Sequence, residues 1–235
     1  MVLGSGYGRF AAAVNSLLLA LMLCVSAHAQ TAPPSGAPQP AVPIKLAILG
    51  DSLAAGYGVK PEQSIPAKLE AALKAEGRNV TVMNQGVSGD TTAGGLERLD
   101  WMLGDKPDIV LIELGANDAL RGLDPAEAER NLDAIIAKLK SEGVRVWLAG
   151  MLAPRNFGPD YIRQFDGLYK RLADKYAIPL YPFILDGVAQ DPALNQADGI
   201  HPNPKGVDVI VAHLLPFVTK NLDLHAAPVR RPARP

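Results

Sequence analysis

A chain of 235 residues, 48% hydrophobic and 20% charged, has the length and apolar content for one globular domain with a substantial core. A formal net charge of −1 supplies no basic field for a nucleic-acid partner. A single cysteine, Cys24, excludes an intramolecular disulfide framework.

Residues 1–29 read as a cleavable export signal. Arg9 ends a short n-region, an apolar run extends from Phe10 to Val25, and Ala27-His-Ala29 offers an A-x-A cleavage site before Gln30. The run is shorter than the roughly 20 residues that span a bilayer, so no stable membrane anchor is expected. A mature chain cut near Ala29 would lack Cys24, hence any thiol nucleophile, and would be periplasmic or secreted. Residues 30–43 form a Pro/Ala-rich linker, the folded domain is expected at 44–222, and 223–235 form a tail whose end, 226–235, is basic and Pro-rich. Neither flank has the periodic apolar pattern needed to pack, and disorder is expected in both.

Within the domain, an apolar strand at Lys45–Gly50 precedes a helix near Ile65–Ala75, closed by Gly77. Next come a strand at Val80–Asn84, a helix near Thr92–Leu103 and a strand at Ile109–Leu114. Asp124 as N-cap, Pro125 at the first helical position and Glu127 in a capping-box-like spacing open a helix that runs to about Lys140. A strand at Arg145–Ala149, a helix near Tyr161–Tyr176, a strand at Leu180–Phe183 and a helix at Lys205–Thr219 complete the series. This alternation predicts a parallel sheet with helices on both faces, and such sheets bind ligands at the carboxyl ends of their strands. Ser52, the Asn84–Gly89 segment and Asn117 all directly follow strands, which would bring them to one edge.

Ser52 in Gly50-Asp-Ser-Leu53 and His201 in Asp198-Gly-Ile-His201 suggest a nucleophile and its base. A serine hydroxyl attacks poorly until an imidazole takes its proton, and a carboxylate fixes the imidazole tautomer. Asp198, three residues before His201, is spaced to reach Nδ1 while Nε2 faces Ser52. Gly89 offers a backbone N–H with no Cβ in the way and Asn117 a side-chain amide. With the Ser52 N–H, these are candidate oxyanion donors for a tetrahedral intermediate. Gly56-Tyr-Gly58 resembles a phosphate cradle only superficially, since it lacks both the Lys-Ser/Thr of a P-loop and a complete G-x-G-x-x-G. Asp51, Asp90 and Asp118 have no accompanying histidine spacing, so neither a metal nor a cofactor is expected, and Asp51 and Asp118 are read as loop supports. His213 and His225 read as structural.

These blocks resemble the GDSL or SGNH hydrolase family, with Ser52, Gly89, Asn117 and His201 as its four named positions and Asp198 as the acid. The stretches GDSLAAGYG, SGDTTAGGLERL, ELGANDALRG and DGIHPN are similar to its bacterial periplasmic arylesterase, acyl-CoA thioesterase and lysophospholipase subgroup. The resemblance spans about residues 45–220. It implies an α/β/α sandwich on a flavodoxin-like, five-stranded parallel sheet and metal-independent hydrolysis of small ester or thioester substrates through an acyl-enzyme. It further implies that the loop Ala119, Leu120, Arg121, Gly122, Leu123 borders the acyl chain. Met151, Leu152 and Pro154, apolar and following a neighbouring strand, extend that expected wall. Ala116 departs from the glycine usual before the Asn, which would narrow the oxyanion side. Two alternatives stay open: a carbohydrate O-deacetylase on the same site, and a non-catalytic envelope binding protein. Nothing in the pattern bears on oligomeric state.

Overall fold

The computed structural model describes residues 42–226. The expected leader at 1–29 with its cleavage site, the linker up to residue 41 and the tail beyond 226 lie outside the described residues.

Five strands carry the fold: β1 (Ile44–Gly50), β2 (Val80–Gly86), β3 (Ile109–Glu113), β4 (Arg145–Ala149) and β5 (Leu180–Tyr181). They pair in parallel in the order β2-β1-β3-β4-β5. Central strands of such a sheet are covered on both faces, so they read as unbroken apolar runs. Every residue of β3 is buried, as are the last five of β1, while β2 at the edge alternates.

The helices are α1 (Ser52–Ala55), α2 (Ile65–Ala75), α3 (Thr92–Glu97), α4 (Leu99–Leu103), α5 (Ala116–Leu120), α6 (Pro125–Ser141), α7 (Pro159–Tyr176) and α8 (Pro204–Ala226). α2 packs on β2 and α8, whereas α6 packs on α3 and α7. Right-handed crossovers account for that division. The chain steps one way along the sheet from β1 to β2 and the other way from β3 to β4 and β5, so the connecting helices fall on opposite faces. The result is the α/β/α sandwich with flavodoxin strand order. Because the connections leaving β1 and β3 diverge, a crevice opens at their carboxyl ends. Ser52 follows β1 there and Asn117 follows β3.

The elements depart from expectation where tertiary contacts override local pattern. The helix expected over Thr92–Leu103 breaks at Arg98, whose guanidinium reaches back to Asp90 Oδ2 (2.6 Å) and the Gly50 carbonyl (2.9 Å). β5 stops at Tyr181 rather than Phe183, because Pro182 has no N–H for the ladder. α8 starts at Pro204 under the Asn203 side chain, which accepts from Lys205 N and Gly206 N, and it continues past Thr219 to Ala226, so residues 223–226 are helical. Asp124 caps α6 through Ala126 N, but Glu127 closes no capping box and instead faces Arg130 at 3.6 Å.

Candidate active site

β1 ends at Gly50 because the turn has no room for a side chain. A Cβ there would meet the Glu113 side chain and, at 2.6 Å, the Ala54 Cβ. Asp51 then caps α1, its Oδ1 accepting from Leu53 N at 3.0 Å, and Ser52 takes the first helical position, 9% exposed. The four-residue α1 was not foreseen from sequence. Gly56, in the left-handed region at φ +82°, ends it.

On the opposite side, Asp198 organises its own loop. Oδ1 accepts the N–H groups of Ile200 and His201, both at 3.0 Å, while Oδ2 meets His201 Nδ1 at 2.7 Å. The His201 backbone N–H, then its ring, then the Ile200 N–H hold the Asp198 carboxyl down to about 2, so it is ionised throughout the neutral range. An ionised carboxylate only accepts, so Nδ1 carries the proton and Nε2 is left as the acceptor. Ser52 Oγ lies 2.9 Å from that Nε2. The i, i+3 spacing read from the sequence therefore corresponds to an unbroken Asp198–His201–Ser52 hydrogen-bond chain.

The three candidate oxyanion donors differ in their engagement. Neither the Ser52 N–H nor the Gly89 N–H has an acceptor among the described residues. Gly89 is held in the left-handed region (φ +86°), and its carbonyl accepts Arg121 Nη2 at 2.7 Å. The Asn117 amide, expected to be available, instead donates to the Asp90 carbonyl at 2.9 Å and to Asp51 Oδ2 at 3.2 Å. Asp51 and Asp118 support the loops as expected, Asp118 through bonds from the Thr92 N–H and hydroxyl (2.9 and 2.6 Å).

A layer of buried acid lies beneath these loops. Burial is the largest influence on Asp51 and pushes its carboxyl up to about 6. Glu113, at the end of β3, is fully buried and raised well above the carboxylate range by desolvation, then by the nearby Asp51. Its Oε1 has no hydrogen-bond partner among the described residues. The sequence carries no signal for Glu113, since it sits inside an apolar strand with no motif around it.

Ser52 and His201 open onto a cavity of about 350 Å³. Of the eight residues expected along the acyl wall, Ala119, Leu120, Met151, Leu152 and Pro154 line it, whereas Arg121 and Gly122 do not. Leu123 does not, because the chain turns at Arg121-Gly122 after α5 and the Leu123 carbonyl is tied to the Tyr161 hydroxyl at 2.9 Å. Gly89 also lies off the cavity wall. Phe183, Leu185, Ile200 and Arg155 also line the cavity, unannounced by the sequence. Ile200 was legible as the apolar residue of Asp-Gly-Ile-His, whereas Phe183 and Leu185 come from an irregular segment without periodicity. Arg155 pairs with Asp166 at 2.8 Å, and Asp166 also accepts Ala153 N at 2.8 Å, which fixes the loop after β4.

The sequence profile of the GDSL-like lipase/acylhydrolase family matches residues 48–209. An arylesterase of Vibrio mimicus is 39% identical over 210 residues, covering 89% of this chain and 100% of that protein. Thioesterase 1/protease 1/lysophospholipase L1 of Escherichia coli (strain K12) is 38% identical over 178 residues, 74% of this chain and 84% of its own. Among solved structures, that of TesA aligns with a TM-score of 0.72 at 40% identity, covering 75% of this chain and 98% of the other.

Proposed function

This chain belongs to the GDSL-like lipase/acylhydrolase family and is an ester hydrolase of the GDSL class, and from that premise we propose that Ser52, His201 and Asp198 cleave carboxylic esters and thioesters through an acyl-enzyme. The observation that carries the assignment of residues is the hydrogen-bond chain from Asp198 through His201 to Ser52, ending at an apolar cavity.

Ser52 Oγ attacks the carbonyl carbon as His201 Nε2 takes its proton, and Asp198 stabilises the imidazolium. The new C–O bond drives the carbonyl electron pair onto oxygen. The N–H groups of Ser52 and Gly89 receive that charge, together with the Asn117 amide hydrogen now directed at Asp51. Collapse breaks the bond to the leaving oxygen or sulfur, which receives the proton from His201. Water, deprotonated by the same imidazole, then releases the acid and restores Ser52.

The wall of Leu120, Met151, Leu152, Pro154 and Ile200 suits an acyl group better than a sugar, which favours ester and thioester cleavage over carbohydrate deacetylation. Residues 1–29 support export through a leader cut near Ala29. Among the described residues no helix is long and apolar enough to cross a membrane.

The test is turnover of a p-nitrophenyl ester series, an acyl-CoA and a lysophospholipid by protein isolated from the cell and by its Ser52→Ala variant. Activity should fall at least about a thousandfold in the variant, and the isolated chain should begin at Gln30. A variant retaining most of the activity overturns the assignment of Ser52, and a chain still beginning at Met1 overturns export.

A further inference from the structure

The glycine-flanked Tyr57 is the one sequence block that the catalytic reading leaves unused. Gly56 and Gly58 both lie in the left-handed region (φ +82° and +73°), so the chain makes a tight turn with Tyr57 at its tip. Tyr57 is 53% exposed, yet its ring centroid is 4.6 Å from that of His201, the planes tilted by 39°. Gln196 fixes this arrangement. Its Nε2 donates to the Tyr57 carbonyl (2.8 Å) and the Pro202 carbonyl (2.9 Å), and its N–H donates to the His201 carbonyl (2.7 Å). The tyrosine turn and the histidine loop are thereby tied to one another.

A half-exposed aromatic ring held in place at no evident benefit to the core invites a functional explanation. Tyr57 does not line the apolar cavity, although His201 does. An ester bound to Ser52 extends in two directions from its carbonyl carbon, and the leaving atom must lie beside His201 Nε2 to receive its proton. If the acyl group fills the cavity, the leaving group emerges past the imidazole, where the exposed face of Tyr57 stands.

Resting on the proposed ester-hydrolase site, we infer that Tyr57 forms a leaving-group subsite that selects planar aromatic alcohols by stacking. A fixed aromatic ring offers a second ring a stacked or edge-on partner, which a small alkyl alcohol cannot reproduce. The same ring against His201 could only help the imidazolium, and that effect would act on every ester alike. Aryl and alkyl leaving groups therefore separate the two roles.

The experiment compares kcat/KM for phenyl butyrate and ethyl butyrate in the full protein and in Tyr57→Ala and Tyr57→Phe. Using kcat/KM reports acylation, the step that expels the leaving group, and taking each variant relative to wild type cancels the intrinsic reactivity of each ester. Tyr57→Ala should lose about three- to tenfold on phenyl butyrate and less than about twofold on ethyl butyrate, and Tyr57→Phe should restore the phenyl value. Equal losses on both esters, or no loss on either, overturn the subsite while leaving the hydrolase standing. A wild-type protein that turns over neither ester overturns the hydrolase reading and the subsite with it.

Discussion

Asn117 shows what a motif tells about a residue and what it withholds. Its position after β3 was legible, because an apolar run ending in Leu114-Gly-Ala-Asn places a polar side chain at the sheet edge. Its partners were not, since Asp51 and Asp90 come from distant parts of the chain and no periodicity links them. The amide has two hydrogens, and both are used: one on the Asp90 carbonyl at 2.9 Å, the other on Asp51 Oδ2 at 3.2 Å. In the proposed mechanism the longer bond is the one an oxyanion shares, and the transition state would then draw on a donor already held in position, with little loss of entropy. Asn117→Ala should therefore lower kcat about a hundred- to a thousandfold with little change in KM, because the amide acts on charge that the bound substrate has not yet developed. Steady-state kinetics on a p-nitrophenyl ester measure both constants. A fall confined to KM would make Asn117 a ground-state contact instead.

The long elements followed from pattern, and the short ones did not. Ile65–Ala75, Pro125–Ser141 and Pro159–Tyr176 each span enough turns for an apolar stripe to be read, and Ser64 and Asp124 cap the first two. α1 and α5 are too short to show a period, and they are the two helices that carry Ser52 and Asn117. The placement of α1 comes from backbone packing instead. Gly86, at the end of β2, is paired in register with Gly50 at the end of β1, and a Cβ on it would collide with the backbone of Ala54 and Ala55 in α1. That backbone cannot swing aside as a flexible side chain would. Gly86→Ala should cost about 1–3 kcal/mol of stability, read from the urea midpoint, and should reduce kcat/KM about tenfold by moving Ser52 away from His201. Destabilisation with unchanged turnover would mean that α1 yields without carrying Ser52 with it.

At the scale of the molecule, the parallel sheet and its two helical layers were legible because strand and helix alternate throughout. The meeting of Ser52 with His201 was legible only through the family resemblance and the strand-end rule. The acid layer under the site was not legible at all, because it depends on which carboxyls the fold buries. Its consequence is a stability that varies with pH. Burial raises Asp51 to about 6, and raises Glu113 and Asp118 as well, so folding favours their protonated forms. The folded state then binds more protons than the unfolded state above about pH 4, and stability declines as pH rises from there through 6. The depressed acids, Asp198, Asp133, Glu70 and Asp223, work in the opposite sense but in a lower window. Their contribution is complete above their ordinary values and is lost only as pH falls below about 4. The urea midpoint should accordingly drop between pH 4.5 and 7. Asp51→Asn keeps an oxygen for the Leu53 N–H but removes the buried charge, which should recover about 1–3 kcal/mol at pH 7 and flatten the decline. The same change turns an amide N–H₂ toward the Asn117 amide, a donor against a donor, so turnover should fall as stability rises. A decline that is equally steep in Asp51→Asn would assign the pH dependence to Glu113 and Asp118 and free Asp51 of it. A recovery of stability with full activity would show that the charge on Asp51 does not hold Asn117 in its working orientation.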